Sequence, residues 1–383
     1  MYTSYLRPRT ISNMNIFSVH QKIITDYESY IRSFINVRDE RIAGIIDKKL
    51  TKGTLFPKPL IQFNPSFAFG DKLSNLCDGK FLHPAIGKIF AGYDLYKHQV
   101  EALRLGTAGK DFIVTSGTGS GKSLTYIGTI FDRILRQSPK KKGIKAIIVY
   151  PMNALINSQT QEFEKYRDTY LKGQLPATFN QDELAGLDAD TAAKVMEAAI
   201  GAEFPITFRQ YTGQEGKDKR EEIKQNPPDI LMTNYMMLEL VMTRLGEASL
   251  RAAIQESLEF LVFDELHTYR GRQGADVAML IRRIRAYAAR TQVQGRVEVQ
   301  CIGTSATMSS GGEDLRAQKE EVANVGKLIF GKSFTADQVI NESLTRVTGR
   351  PEHLPDGQEL SIVVEAGVPT SGSEQDLKFH PLS

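Results

Sequence analysis

Three short runs in the 383-residue chain carry side chains suited to chemistry on a phosphate. The first, Thr115-Ser116-Gly117-Thr118-Gly119-Ser120-Gly121-Lys122-Ser123, follows Phe112-Ile113-Val114. Gly117, Gly119 and Gly121 let backbone N–H groups close around a phosphate. Lys122 adds a point charge for the β and γ oxygens, and Ser123 a hydroxyl for Mg²⁺. Ser116 stands where the G-x-x-x-x-G-K-[ST] pattern has its first glycine. In the second run, Phe260-Leu261-Val262-Phe263 stops abruptly at Asp264-Glu265-Leu266-His267. Two carboxylates are costly to bury at a strand end unless a cation offsets them. Asp264 is expected to hold Mg²⁺, directly or through water, and Glu265 to position and polarise the attacking water. The third run, Gly303-Thr304-Ser305-Ala306-Thr307-Met308, places hydroxyls after the next strand. There Ser305 and Thr307 can bond the metal-site carboxylates and report the γ-phosphate. Alone, these runs read as a glycine-rich turn, a helix cap and a chance tripeptide. In this order they read as an ATP site, with ATP and Mg²⁺ as cofactors.

The elements that must position these runs begin at about residue 93. Short β-branched or aromatic runs predict strands at 111–115, 145–150, 206–210, 229–233, 259–263 and 299–304. Helices are predicted at 96–106, 122–137, 153–170, 217–225, 234–245, 247–256 and 274–290. Such alternation predicts an α/β fold, a parallel sheet covered by helices on both faces, with ligands at the carboxyl ends of the strands. Residues 1–92 are expected to form a partly helical N-terminal extension, because Ile23, Ile24, Tyr27, Ile31, Phe34 and Ile35 recur at helical spacing. The ATP-binding domain is placed at 93–348, with a helical insertion at 171–204. The Pro-, Gly- and Ser-rich residues 349–383 read as a linker or tail.

Composition narrows the class without naming a partner. A formal charge of +3 is too small to argue for nucleic-acid binding by itself. Cys77 and Cys301 are far apart and lack metal-ligand spacing, which fits a reducing cytoplasm. The N-terminus has no signal-peptide core, and no apolar stretch reaches the roughly 18 residues of a membrane span. A cytoplasmic location and no membrane partner are expected.

The order of the three runs resembles motifs I, II and III of the superfamily 2 DExH-box helicases. Tyr150-Pro151-Met152-Asn153-Ala154-Leu155 resembles motif Ia, and Thr233-Asn234-Tyr235-Met236-Met237-Leu238-Glu239 motif Ib. Tyr211-Thr212-Gly213 resembles the short motif before Ib, and Tyr96-Lys97-His98-Gln99 the end of the Q-motif. The segment from Asp264 to Val277 looks like the branch containing the MrfA, Hrq1 and Lhr-type DNA helicases and the large helicases of bacterial defence islands. The resemblance covers about residues 93–345. It implies an N-terminal RecA-like domain that hydrolyses ATP while moving on single-stranded DNA. It implies that Gln99 reads the adenine edge, that Tyr93 or Tyr96 either stacks on the base or simply packs, and that His98 packs. His267, Ser305 and Thr307 would couple the metal site to a partner domain.

The same resemblance places the sugar–phosphate backbone against Pro151, Asn153, Thr212, Gly213, Thr233 and Asn234, several of which could equally be helix caps. Segment 268–296 holds seven arginines against one acid, Asp276. Such a run is often only a solvated helix face. Arg270 and Arg272 match the family pattern and are the candidates for phosphate contact. Nothing after Met308 reads as a second RecA-like domain, which in this superfamily supplies arginine fingers. The expected partners are therefore DNA and a second RecA-like domain, carried in a longer chain or a separate subunit. Two alternatives stay open: a nucleotide-switched binding module in a defence or repair complex, and an RNA helicase lobe.

Overall fold

The computed structural model describes residues 16–35, 37–51, 66–117, 119–138, 142–290, 298–306 and 315–345. The chain divides into two compact units, Met1–Asn64 and Pro65–Ser383. Among its described residues the first holds two helices, α1 (Ile16–Phe34) and α2 (Glu40–Thr51). Asp39 caps α2 by accepting from Arg41 N at 2.9 Å, and Arg32 pairs with Asp47. No described helix is long and apolar enough to cross a membrane.

The second unit is built on a seven-stranded parallel sheet. Its strands are β1 (Phe112–Thr115), β2 (Ala146–Tyr150), β3 (Phe208–Gln210), β4 (Ile230–Asn234), β5 (Phe260–Phe263), β6 (Gln300–Ser305) and β7 (Val339–Asn341). Their order is β3-β4-β2-β5-β6-β1-β7, and each neighbouring pair is parallel. A sheet buried on both faces needs continuous apolar runs. Ala146-Ile147-Ile148-Val149-Tyr150 is one, buried at every position.

The helices of this unit are α3 (Leu73–Asp78), α4 (Pro84–Ile89), α5 (Lys97–Thr107), α6 (Lys122–Leu135), α7 (Asn153–Lys172), α8 (Ala189–Ile200), α9 (Lys217–Gln225), α10 (Tyr235–Thr243), α11 (Ala248–Ser257), α12 (Gly271–Ala289) and α13 (Leu315–Phe330). They split into two layers. Buried side chains of α3 to α8 share one cluster with Phe112, Val114, Ile148 and Val262. Those of α9 to α13 share another with Ile113, Ile147, Val149 and Leu261. Alternate residues of each strand thus feed opposite faces, which gives the doubly covered α/β fold expected from the sequence.

Three differences from the sequence-based expectation have physical causes. The extension expected over 1–92 does not reach residue 92 as a separate body. Leu76, Leu82, Ile86, Ile89 and Phe90 are buried in the sheet's own core, with the Phe90 ring 4.8 Å from Tyr166 and 5.9 Å from Phe131. Within 171–204, α7 runs on to Lys172, and α8 packs back on it through Ala193 and Met196. Arg167 fixes that contact by donating to Asp190 at 2.8 Å and to the Ala189 carbonyl at 2.7 Å. After residue 308, within the expected 93–348 domain, a helix and an edge strand that were not predicted, α13 and β7, add to the fold, β7 pairing with β1. The expected tail at 349–383 lies outside the described residues.

Candidate functional site

The phosphate loop opens where β1 ends. Ser116 N donates to the Ser305 carbonyl at 3.2 Å, tying the loop to the end of β6. Gly119 and Gly121 have φ of +80° and +68°, a conformation that side chains strain to adopt. A Cβ on Gly121 would also stand 2.4 Å from Gln99 Nε2. Lys122 begins α6 and turns its ammonium back into the loop, donating to the carbonyls of Ser116 at 2.9 Å and Gly117 at 3.4 Å. Thr118, a predicted loop member, lies outside the described residues.

Across the loop, β5 delivers the two carboxylates. Asp264 is buried and accepts from the Thr304 hydroxyl on β6. Glu265 has φ +53° and ψ +55°, left-handed for a non-glycine residue. Strain of this kind concentrates at working sites, where the surrounding structure over-determines it. Here Glu265 N donates to Thr304 Oγ1 at 3.2 Å, so one hydroxyl serves both acidic residues. Glu265 Oε1 lies 3.9 Å from Lys122 Nζ. His267 Nδ1 accepts from Ala306 N at 3.3 Å, which makes it the unprotonated nitrogen, and lies 3.2 Å from Ser305 Oγ. Glu265 Oε2, 3.2 Å from the same nitrogen, therefore has no hydrogen-bond partner although it is buried. Thr307 lies outside the described residues.

These groups suit Mg²⁺. Magnesium is held by one or two carboxylates, a hydroxyl, phosphates and waters rather than an all-protein cage. Asp264 and Ser123 offer the carboxylate and the hydroxyl, and Glu265 Oε2 is a buried acceptor without a donor. Among the described residues no cluster of three or more His, Cys, Asp or Glu exists, as this mode of binding does not require one.

Burial raises the Asp264 carboxyl to about 6, against the Thr304 hydrogen bond, which opposes it. A carboxyl at about 6 when folded and 3.8 when unfolded leaves stability highest below the lower value, and loses it as pH rises through the higher one. At neutral pH the penalty is at most about 3 kcal/mol. Asp264→Asn is therefore expected to stabilise the nucleotide-free protein by about 1–3 kcal/mol at pH 7. That gain should vanish below about pH 4. Thermal melts at the two pH values check this, and an equal or lower stability of the variant at pH 7 would refute it.

Sequence reasoning overlooked a pair of hydroxyls beneath the site. Tyr126 on α6 and Tyr150 at the end of β2 are wholly buried, with their hydroxyls 3.2 Å apart. Tyr126 also interacts with Ser123, and both rings feel the Asp264 charge. Burial pushes both phenols well above their ordinary value. Tyr150 ends an apolar run, but Tyr126 lies between Thr125 and Thr129 on α6, where nothing local marks it as a partner.

On the side expected to meet the base, both ends of the Gln99 amide are engaged within the protein. Oε1 accepts from Tyr96 N at 2.8 Å, and Nε2 donates to the Gly121 carbonyl at 2.9 Å. In this structure Gln99 braces the phosphate loop instead of presenting a free adenine-reading edge. His98 is buried, bonded through Nε2 to the Ser120 carbonyl at 2.9 Å, and burial lowers its pKa. Tyr96 packs on Phe67, Phe69 and His98, while Tyr93 is 43% exposed, with its ring against Phe90 and Tyr166.

The residues expected to meet nucleic acid gather at the carboxyl ends of β2, β3 and β4, further along the same sheet edge. Asn234 Nδ2 donates to Asn153 Oδ1 at 2.8 Å, and Asn234 Oδ1 caps α10 through Met237 N at 2.8 Å. Thr233 and Thr212 are buried, their hydroxyls donating to the Tyr211 carbonyl at 2.7 Å and to Glu215 at 2.8 Å. Pro151, Asn153 and Asn234 are half-buried, and Gly213 is exposed.

The arginine run sorts itself by partner. Arg282 and Arg285 bond the last carbonyls of α13, and Arg283 pairs with Glu239. Arg270 and Arg272 are exposed, Arg270 Nε bonding the His267 carbonyl at 2.9 Å.

The family described as DEAD/DEAH box helicase matches residues 96–315. An uncharacterized ATP-dependent helicase of Methanocaldococcus jannaschii is 28% identical over 291 residues, spanning 75% of this chain and 35% of that protein. Druantia protein DruE of Escherichia coli is 26% identical, spanning 73% of this chain and 20% of its own length. The chain thus covers well under half of either relative. Among solved structures, the DUF1998 helicase MrfA bound to DNA and AMPPNP has a TM-score of 0.50 at 19% identity, covering 77% of this chain and 33% of that one. The Mycobacterium smegmatis helicase Lhr bound to single-stranded DNA and AMP-PNP has a TM-score of 0.50 at 21% identity, covering 70% and 28%. At these identities the likeness speaks to the fold.

Proposed function

The chain belongs to the DEAD/DEAH box helicase family, and we propose that it is the first motor lobe of an ATP-dependent DNA helicase or translocase. The observation that carries this reading is convergence. β5, β6 and β1 are neighbours in the sheet, and their carboxyl ends put Asp264, Glu265, Ser305 and Lys122 around one phosphate loop. Lys122 and the loop amides hold the phosphates, and Ser123 and Asp264 hold the metal. Glu265, with one oxygen buried and unbonded, accepts a proton from and orients the attacking water. Bound Mg²⁺ neutralises charge developing on the phosphate oxygens. His267 and Ser305 form the link by which γ-phosphate is felt at the surface where a second RecA-like domain docks.

The nucleic-acid path runs over Pro151, Asn153, Gly213 and Asn234. The buried hydroxyls of Thr212 and Thr233 shape those turns, so their contribution is through backbone. Such contacts ignore base identity, as a motor on single strands requires. The neighbours MrfA and Lhr are bound to DNA and Mss116p, at a TM-score of 0.51, to single-stranded RNA. The DNA reading therefore rests on the match of the Asp264–Val277 segment and is decided by the nucleic-acid arms of the test.

The test is ATP turnover with and without single-stranded DNA or RNA, by the chain alone and with a second RecA-like lobe supplied. Slow turnover alone, and DNA stimulation with the lobe present, is the expected result. An arginine finger is worth roughly 10³–10⁵ in rate. Fast DNA-stimulated turnover by the 383-residue chain alone would overturn the need for a partner, and selective stimulation by RNA would overturn the substrate. Nucleotide-dependent docking with no turnover in any combination would favour a switch. For the exposed arginines, Arg270→Ala and Arg272→Ala should each flatten the log–log salt dependence of DNA binding by about 0.7. Unchanged slopes remove them from the path.

A further inference from the structure

The phosphate loop is held at both ends by a run of hydrogen bonds through three backbone segments, a ribbon whose key is a side chain that no motif predicted. Gly117 N, at the loop's entry, donates to Glu342 Oε2 at 2.7 Å. Glu342 follows β7, and its own N donates to the Thr115 carbonyl at 3.2 Å. The Thr115 hydroxyl donates to Asn341 Oδ1 at 2.7 Å. The chain then runs antiparallel to residues 66–69. Ala68 N donates to the Ser343 carbonyl and Thr345 N to the Ser66 carbonyl, each at 2.7 Å, and Phe67 bridges Leu344. That segment passes the connection on. Lys97 N donates to the Ala68 carbonyl at 2.8 Å, and Gly70 N to the Leu95 carbonyl at 2.7 Å. His98 and Gln99 then reach the loop's other end at the carbonyls of Ser120 and Gly121. The circuit is closed: loop entry, 342–345, 66–70, 95–99, loop exit.

We propose that Glu342 is a positioning residue that sets the shape of the phosphate loop and couples its occupancy to the segment 342–345, through which the chain leaves the sheet. The proposal rests on the nucleotide-site reading above. A carboxylate on a backbone amide is a charge-assisted bond, stronger than a neutral one. Here it fixes an amide at the entry of a loop whose glycines permit it to flex. When phosphate orders the loop, Gly117 carries that order to Glu342, and Glu342 to a ribbon otherwise held by a few backbone bonds. Local opening of such a ribbon is sensitive to each bond it retains.

Hydrogen exchange on the full chain, with and without MgADP, tests the coupling. The amides of Ala68, Glu342 and Thr345 are expected to exchange roughly tenfold more slowly with MgADP bound. Glu342→Ala should weaken binding of fluorescent mant-ADP about tenfold and abolish the ribbon's protection, while loop amides are still protected. Glu342→Gln, which keeps the acceptor oxygen, should stay within about threefold of wild type and keep that protection. The proposal is overturned if MgADP protects the loop but not the ribbon in the wild type, a measurement that needs no variant. It is equally overturned if Glu342→Ala binds mant-ADP as well as wild type, or more tightly, the mark of a repulsive gate. Failure of the wild type to bind MgADP at all would instead sink the nucleotide-site reading on which the proposal stands.

Discussion

Lys122→Ala is expected to abolish measurable nucleotide binding by this chain, and Glu265→Gln to bind ATP and fail to cleave it. The two outcomes follow from what each side chain touches. The Lys122 ammonium is folded into the loop against the carbonyls of Ser116 and Gly117, the place a β-phosphate would take. Charge-assisted bonds contribute about 1.5–3 kcal/mol each, so a lysine that would turn from these carbonyls to make two such bonds to phosphate oxygens is worth at least about a hundredfold in affinity. Glu265 makes no contact that binding needs. Its Oε1 stands 3.9 Å from Lys122 Nζ and its Oε2 has no hydrogen-bond partner, so a glutamine fills the same space without the basicity. Removing a general base lowers chemistry by roughly 10²–10⁴. Mant-ATP titration and single-turnover hydrolysis separate the two effects. Wild-type turnover by Glu265→Gln would remove Glu265 from the catalytic role.

The second large effect lies at the opposite edge of the sheet. Lys145 is 1% exposed and Asp229 3%, and their charged atoms meet at 2.7 Å where β2 and β4 begin. The second oxygen of Asp229 accepts from Thr207 N at 2.8 Å and Thr207 Oγ1 at 2.9 Å. Such a pair adds little against an apolar substitute, yet breaking it strands a buried charge. Asp229→Ala should cost about 3–5 kcal/mol. Lys145→Met should cost less, because Asp229 keeps its Thr207 bonds. Denaturant unfolding measures both, and a loss below about 1 kcal/mol for Asp229→Ala would contradict the reading. Nucleotide affinity of the folded protein should not change, since the pair lies at the strands' amino ends and the phosphate loop at their carboxyl ends.

What could be read from the sequence was what a short pattern can carry. The loop from Ser116 to Ser123 announces itself by glycine spacing, and Asp264-Glu265 by the abruptness with which an apolar strand ends. Six of the seven strands follow from buried runs. β7 did not, because Val339-Ile340-Asn341 has too few residues to show a period. α3 and α4, six residues each, failed for the same reason. The bonds of Gln99 to Tyr96 N and the Gly121 carbonyl could not be read, since a side-chain amide's direction depends on a carbonyl at residue 121. Glu342 carries no local signal. A glutamate after a three-residue strand looks like a solvated one until the fold brings Gly117 to it.

The sheet order has a consequence for how the chain acquires this site. β1, which carries the phosphate loop, is the first strand to be synthesised, yet its neighbours are β6 and β7, the last two. Phe112 must wait for Ile302, and Ile113 for Val339. β2, β4 and β5 can pair as soon as residue 263 has emerged, while β1 has no strand to join. Closing so long a loop before any contact rewards it is slow. Until then Phe112-Ile113-Val114 has an unpaired backbone and apolar side chains on both faces, a segment prone to wrong partners. During synthesis the nucleotide site is thus expected to be completed last, and a chain cut before β7 would keep most of its core while leaving the strand beneath its phosphate loop at an open edge.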